Sequence, residues 1–569
     1  MKKTLITILS ASLLSVTGLK AQSVQEGVNH LYADRFKSAI GVFEKMLAVN
    51  PNNMEATYWL GQVYFDMDDN AKARDIYSKA LATNGSAPLI LTGLGHADLL
   101  DNKTADARQK FEAALTASRG RKGDDPTVAS AIGRANVDAK AGDFNYAIQL
   151  LTQAADKEPK NTEILLQLGN AYRKAKPGEG GGDAYKTYKK ALDVNGSFAV
   201  ANLRLAKLFE SQKNWELVLE NLNEAIRRDA TFAPAYYELF YYYFYRSQFP
   251  EAEAQLQKYI ANTDADTQNE FLYAQLCWAK KDYECAVTKA EGVVAVSGEK
   301  VKPKVLKLLA DAYYQKGDYA NAKKYIDRYF VREKKEDFIA FDFKLKADIL
   351  SKTGGTDEEV LETYVKGVEF DTVMTSKIDY LKQGAKFFKD ANKRDKEAVL
   401  LEMITKIKPD PTINDYFEAM LARYFSKEHR LSRATAAVMV EKFPNEIYGY
   451  EWMYNNSVAI ITDTLVSDTA RKAFQRDTGI VDVEKLYEFT VKDTAKYKKQ
   501  YINSVRFLAA YYINDAGDKE KSLEYFRKWL AADADNAATI QAYIDQIEKM
   551  PARKSSSTKT TGGSTQGKK

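Results

Sequence analysis

The sequence predicts an all-α solenoid of short helical hairpins stacked along the chain. Three observations predict it. A pattern of small and aromatic residues recurs at a spacing of ~34 residues, the mark of a stacked-repeat array. Proline is sparse, with 12 in 569 residues, which suits long helical stretches because an interior proline costs about 3 kcal/mol. The apolar residues keep a helical period almost to the C-terminus, even where the small-residue pattern fades. Length alone would suggest several globular domains, but a repeat array buries its core between neighbours and grows in one dimension.

The N-terminus reads as an address. Lys2 and Lys3 precede an apolar run, Thr4 to Val16, and Leu19-Lys20-Ala21 ends on a small residue before Gln22. The run is too short to span a bilayer as a mature helix, so residues 1–21 are expected to be a cleaved signal peptide. No cysteine follows that run, which argues against a lipid anchor, and no later stretch is apolar enough to cross a membrane. The expected location is therefore outside the cytoplasm, periplasmic or associated with an outer membrane.

From residue 22 the hairpins follow in order. The cleanest copy runs from Met54, MEATYWLGQVYFDMDDNAKARDIYSKAL, marked by Leu60-Gly61, Tyr64, Ala73, Tyr77 and Ala80. Gly61 and Ala73 are small where the two helices cross, and Tyr64 and Tyr77 fill the space beside that contact. Gly27, Ala39 and Phe43 mark the first copy, and Gly95, Ala107 and Phe111 the third. Ala135, Ala147 and Leu151 mark the fourth; Gly169, Ala184 and Tyr188 mark the fifth, whose turn is lengthened by KPGEGGG. Ala206, Val218 and Ala225 give the sixth; Tyr243, Ala252 and Leu256 the seventh; Ala274, Ala286 and Ala290 the eighth; Ala310, Gly317 and Ala322 the ninth. After about Lys335 only the helical period persists. FDFKLKADIL with EEVLETYVKGV, YLKQGAKFF with EAVLLEMITKI, and MLARYF with RATAAVMVEKF read as three more hairpins. YGYEWMYNNSVAII then leads through a linker around TDTLVSDTARK to VEKLYEFTV. A regular copy with Leu508, Ala509, Gly517 and Phe526 precedes an expected capping helix, Ala537 to Met550. The domains expected are a regular array over 22–333, a degenerate array over 334–550 and a disordered basic tail over 551–569.

The marks L-G-x-x-Y in a first helix and A-x-x-x-Y-x-x-A in a second resemble the tetratricopeptide repeat. The resemblance covers roughly residues 22–550. It implies a right-handed superhelical solenoid of about 13–14 repeats whose concave face, lined by the first helix of each hairpin, grips peptides or partner proteins.

On that face the seventh repeat is unusual. YYELFYYYFYR places Tyr237, Tyr241, Phe244 and Tyr245 on the lining, with Tyr236, Leu239, Phe240 and Tyr243 facing the packing side. The eighth adds Phe271, Gln275 and Trp278. The fifth and sixth add Asn170, Arg173, Lys174, Arg204 and Lys207. A basic-polar patch should thus adjoin an aromatic one, suited to apolar contact and to a carboxylate. Tyr58, Trp59 and Phe65 form a second aromatic group.

Chemistry for catalysis is harder to find. The three histidines, His30, His96 and His429, stand in no nucleophile or metal motif. GEGGGD lacks the strand and the Gly-Lys-Ser/Thr ending of a phosphate loop. The net charge of +5 lies in the termini: residues 1–21 carry three lysines and the tail five basic residues without an acid. The body is slightly acidic, which disfavours nucleic acid as a partner. Cys277 and Cys285, across one tight turn, could pair or remain two buried thiols. The expected function is a non-enzymatic envelope scaffold for proteins or peptides, without cofactor or metal. A carbohydrate- or peptidoglycan-binding module is the alternative, since aromatic faces also stack on sugars.

Overall fold

The computed structural model describes residues 23–176, 178 and 180–551. The predicted signal segment and the tail beyond Pro551 lie outside the described residues. The described residues are overwhelmingly α-helical, with no β-strand among them. None of their helices is long and apolar enough to cross a membrane. They fall into two compact units, bounded as Met1–Ala312 and Tyr313–Lys569. This division is one of packing and precedes the change in repeat regularity read at 333/334.

In the first unit eight hairpins follow one another: Val24–Tyr32 with Phe36–Val49, Met54–Asp66 with Asn70–Thr83, Pro88–Leu100 with Thr104–Ser118, and Pro126–Asp138 with Phe144–Lys157. Next come Thr162–Ala175 with Gly181–Val194, Ala199–Ser211 with Trp215–Arg228, Ala233–Phe244 with Phe249–Ala261, and Thr267–Ala279 with Tyr283–Ser297. Each first helix packs on its own second helix, each second helix on the next first helix, and from the first hairpin to the sixth the successive first helices also touch, so buried apolar clusters follow one another along the unit.

Two local devices repeat. The first is a small residue beneath a large ring. A methyl group added at Gly61 would lie 2.1 Å from the Tyr77 ring, and one at Gly93 would lie 2.5 Å from the same ring. Tyr77 is thus clamped between the second and third hairpins, and its hydroxyl donates to the Tyr58 carbonyl at 2.7 Å. Gly27 with Phe43, Gly95 with Phe111 and Gly169 with Tyr188 repeat the contact. The second device is the turn. Asp34, Asp68 and Asn102 adopt φ near +60° and lie 34 residues apart, as do Lys213, Ser247 and Lys281. A left-handed residue there ends the first helix, and the following N–H returns five residues, as Asp69 to Tyr64 and Asp282 to Cys277. Asp69, Asn214 and Asp282 then cap the second helix through their side chains.

The second unit repeats the hairpin in longer and less regular form. Its pairs are Ala340–Lys352 with Asp357–Gly367, Met374–Asp390 with Arg394–Ile407, Ile413–Phe425 with His429–Lys442, and Lys498–Asn514 with Lys519–Ala532. The helix Ala537–Glu548 closes the unit by covering Leu523 and Phe526 with Ile540, Ile544 and Ile547. The linker expected around TDTLVSDTARK is shorter than the sequence suggested. Ser467 caps a helix that begins at Asp468, and Asp468 pairs with Lys472 one turn on. That helix passes through one wide turn at Gln475–Gly479 into Ile480–Thr490. Asp482, with no solvent exposure, holds this segment: Arg433 donates to both its oxygens and Ser457 adds a hydroxyl.

Candidate interaction surfaces of the first unit

The first unit closes on itself. Arg35 donates to the Thr231 carbonyl at 3.3 Å and to its hydroxyl at 3.1 Å. The Ser38 N–H and hydroxyl donate to the Asp264 carboxylate at 2.9 and 2.7 Å, and Lys37 donates to the Ala265 carbonyl. The first hairpin therefore meets the turns that follow the sixth and seventh hairpins. Within the unit, the Tyr32 hydroxyl donates to Glu163 at 2.5 Å and accepts from Arg134 at 2.9 Å. Arg134 is only 5% exposed; its guanidinium lies 4.9 Å from the Trp59 ring centre and 5.3 Å from that of Tyr32. So the second aromatic group read in the sequence belongs largely to this packed interior: Tyr58 and Phe65 are buried, and the Phe65 ring lies tilted against His96 at 4.5 Å.

Charges of both signs face that interior. Burial, together with Asp66 and Glu238, pushes the Asp34 carboxyl up to about 7 against the pull of Arg204. Asp66 is open to water but ringed by protein; its restricted hydration pushes it up to about 6, while Arg134 and Arg204 pull the other way. Burial lowers His96 to about 4 and lowers Lys174, which Asp138 opposes.

The structure sorts the residues singled out in the sequence. Asn170 is 6% exposed and internally satisfied: it accepts from the Tyr188 hydroxyl at 2.8 Å and donates to Gln167. Phe271, 3% exposed, is a core residue beneath Lys304. Both present little surface to solvent, although Phe271 still borders a cavity that Tyr237 and Tyr259 also line. Arg173, Lys174, Arg204 and Lys207 are part-buried. Lys174 donates to the Val137 carbonyl and Lys207 pairs with Glu210 and Glu238. Tyr237 packs on Tyr259 at 5.4 Å. The Tyr241 hydroxyl donates to Gln275 at 3.1 Å. Phe244 packs on Phe240 and Phe249. Tyr243, placed on the packing side, is half-buried, whereas Tyr236, Leu239 and Phe240 are buried. Trp278 is half-buried, with its indole N–H unpartnered among the described residues. Beside it, Cys277 and Cys285 form a disulfide, with Cα atoms 5.7 Å apart, joining the two helices of the eighth hairpin.

Tyr245 is the most open of the set at 77% exposure. With Tyr241 it forms one wall of a cleft of about 490 Å³ between the sixth and seventh hairpins. Trp215, Tyr242 and Arg246 form another, Ala206, Val218 and Leu222 the floor, and Lys207, Glu210 and Glu238 the polar edge. Trp215 is 39% exposed. The Arg246 guanidinium lies 3.6 Å over Tyr242 and 4.5 Å over Trp215. Sequence reasoning missed Trp215 and Arg246, because attention stayed on first helices and Trp215 opens a second helix. A tryptophan at the first position of a second helix, where other repeats carry smaller residues such as Asn70 and Thr104, is the signal that could have found it.

A family model of the tetratricopeptide repeat matches residues 30–96, and another of the same description matches residues 304–330. The chain carries tetratricopeptide repeats. Among solved structures it is similar to the C-terminal part of a repeat-containing protein from Cytophaga hutchinsonii, at 24% identity, covering 49% of this chain and 100% of that one, with a TM-score of 0.25. A tetratricopeptide repeat protein from Parabacteroides merdae matches at 19% identity over 46% of this chain and 98% of that one, with a TM-score of 0.36. Yeast Tom70 matches at 16% identity over 71% of this chain and 95% of that one, with a TM-score of 0.34. Stacked repeats of this kind suit a protein–protein interaction scaffold, since each hairpin adds surface without adding a new core. Among the described residues no group of three or more histidine, cysteine or acidic side chains is placed to hold a metal ion.

Proposed function

We propose that this chain is a non-enzymatic scaffold of the cell envelope, and that it docks a partner protein in the cleft between its sixth and seventh repeats. The observation that carries the reading is the accessible aromatic wall of Trp215, Tyr242 and Tyr245 above an apolar floor. Large rings with polar tips, open to solvent around an apolar centre, are what protein interfaces use as anchors. The envelope location is supported by the basic and apolar pattern of residues 2–21 and by the Cys277–Cys285 pair, since disulfides persist in oxidising compartments.

Crosslinking and capture from intact cells tests the docking. The double variant Trp215→Ala/Tyr245→Ala should lose at least about tenfold of the captured partner, because aromatic anchors contribute about 2 kcal/mol each, though not additively. Helicity should be unchanged. Equal capture by the variant would remove the cleft from the reading, and retention on an immobilised glycan that the variant abolishes would replace a protein partner with a carbohydrate. Cell fractionation with N-terminal sequencing tests the location: a mature chain beginning at Gln22 outside the cytoplasm is expected, and a cytoplasmic chain beginning at Met1 refutes it.

A further inference from the structure

The closure of the first unit forms another cavity, of about 470 Å³, a size common among small-molecule sites. Its walls come from both ends of the unit. Asp34 and Asp66 belong to the first two hairpins, and Lys300 and Lys304 to the segment that leads into the helix Pro303–Lys316. The rings of Tyr237, Tyr259 and Phe271, from the seventh and eighth hairpins, supply its apolar surface.

Most of the other charges around the cavity are committed within the fold. Asp264 accepts from Ser38, and Asp266 caps the helix Thr267–Ala279. Lys37 donates to the Ala265 carbonyl, and Lys302 pairs with Asp68 at 3.4 Å. Asp34, Asp66, Lys300 and Lys304 are left without an ion pair among the described residues. The Asp34 and Asp66 carboxyls accept no hydrogen bond there either, and Lys304 meets the neutral Gln268 amide at 3.2 Å and the Phe271 ring. Asn269 lines the same cavity and is only 6% exposed. Its amide nitrogen donates to the Asp264 carbonyl at 3.5 Å, while its side-chain oxygen has no partner among the described residues.

Two carboxylates and an amide oxygen accept from an ammonium, and two ammonium groups donate to a carboxylate. A simple cation answers the first set and a simple anion the second. A molecule carrying both charges answers both, and aromatic rings suit an apolar stem between them.

We propose that this cavity binds a small zwitterion whose ammonium and carboxylate are separated by an apolar stem, the ammonium held by Asp34, Asp66 and Asn269 and the carboxylate by Lys300 and Lys304. This goes beyond the scaffold reading, since the cavity shares no lining residue with the cleft of Trp215 and Tyr245.

ε-Aminocaproate is the probe, titrated against the full chain and followed by saturation-transfer NMR. The titration is run at pH 8, above the value of about 7 to which burial pushes the Asp34 carboxyl. The probe should bind at least about tenfold more tightly than hexylamine or hexanoate, each of which lacks one of its charges. It should also bind more tightly than glycine, whose two charges share one carbon. Asp34→Asn/Asp66→Asn should weaken the probe at least about tenfold without weakening hexanoate, and Lys300→Gln/Lys304→Gln should do the same without weakening hexylamine. Hexylamine, hexanoate or glycine binding as tightly as the probe overturns the proposal. So does a probe that does not bind, or one that binds both double variants as it binds the parent. Should a double variant lose helicity, Asp66→Asn or Lys300→Gln, each at an exposed side chain, is read by the same criteria. Trp215→Ala/Tyr245→Ala should bind the probe like the parent, so partner capture through the cleft is scored separately.

Discussion

Tyr77 shows how much of this chain is decided one residue at a time. Its ring has no exposure, and it lies over glycines from two successive hairpins. The predicted consequence of Gly61→Leu is a loss of at least about 2 kcal/mol, because the added side chain must displace a ring clamped on both faces. Chemical denaturation checks it, and a parental midpoint would refute the clamp. Asp34 makes a second residue-scale prediction. Its carboxyl keeps a proton in the folded chain up to about pH 7, against 3.8 ordinarily. Between those values the folded state holds more protons, so this group's contribution to stability declines as pH rises. His96 acts in the opposite sense: its folded value of about 4 is below the ordinary 6.5, so its contribution grows as pH rises through that window. Asp34→Asn removes only the first slope, and asparagine tolerates the left-handed backbone there. The melting temperature of the variant relative to the parent should therefore be higher at pH 8 than at pH 5; a constant difference would mean that Asp34 titrates normally.

Single elements owe their ends to the turn and their attachment to buried partners. Lys213 and Lys427 sit at φ +56° and +64°, a conformation that costs a lysine roughly 1–2 kcal/mol. Glycine relieves this and loses part of the gain to unfolded-state entropy, so Lys213→Gly and Lys427→Gly should each raise stability by about 0.5 kcal/mol. A melting temperature lowered by both changes would show that the lysine side chains matter more than the backbone. In the second unit the segment Ile480–Thr490 depends on a buried carboxylate between Arg433 and Ser457. Arg433→Met leaves Asp482 buried and unpaired, a loss expected at about 3–5 kcal/mol. Hydrogen exchange should rise first over Ile447–Thr490; unchanged protection there would contradict the assignment. The segment's identity was only half legible, because its holding charge pair joins residues far apart in sequence.

At the scale of the whole molecule, stacking leaves an end that must be covered. Ala537–Glu548 covers it, and its Ile540, Ile544 and Ile547 cluster with Ala509, Leu523 and Phe526 of the last hairpin. Ending the chain after Asp533 should expose Phe526 and Leu523, giving concentration-dependent association and binding of an apolar dye, while ending it after Pro551 should do neither. A monomeric, dye-silent short form would show that the helix is not a cap.

Helix, hairpin and repeat were readable from residues alone. Small residues at helix crossings, a spacing of ~34 residues and sparse proline act through neighbours in sequence, and a hairpin that cannot bury its own face must stack. Even the left-handed turns at Asp34, Asp68 and Asn102 were in reach of that period. The surfaces were not. A helical lining position says which way a side chain starts, not what the chain brings against it. Asn170 and Phe271 turned out to be packed, and Trp215 joined Tyr245 across two hairpins. The closure of the first unit rests on Ser38 with Asp264 and on Tyr32 with Glu163. Such contacts depend on small rotations accumulated from hairpin to hairpin, which no local pattern encodes, and only the tertiary structure decides where they bring the chain back to itself.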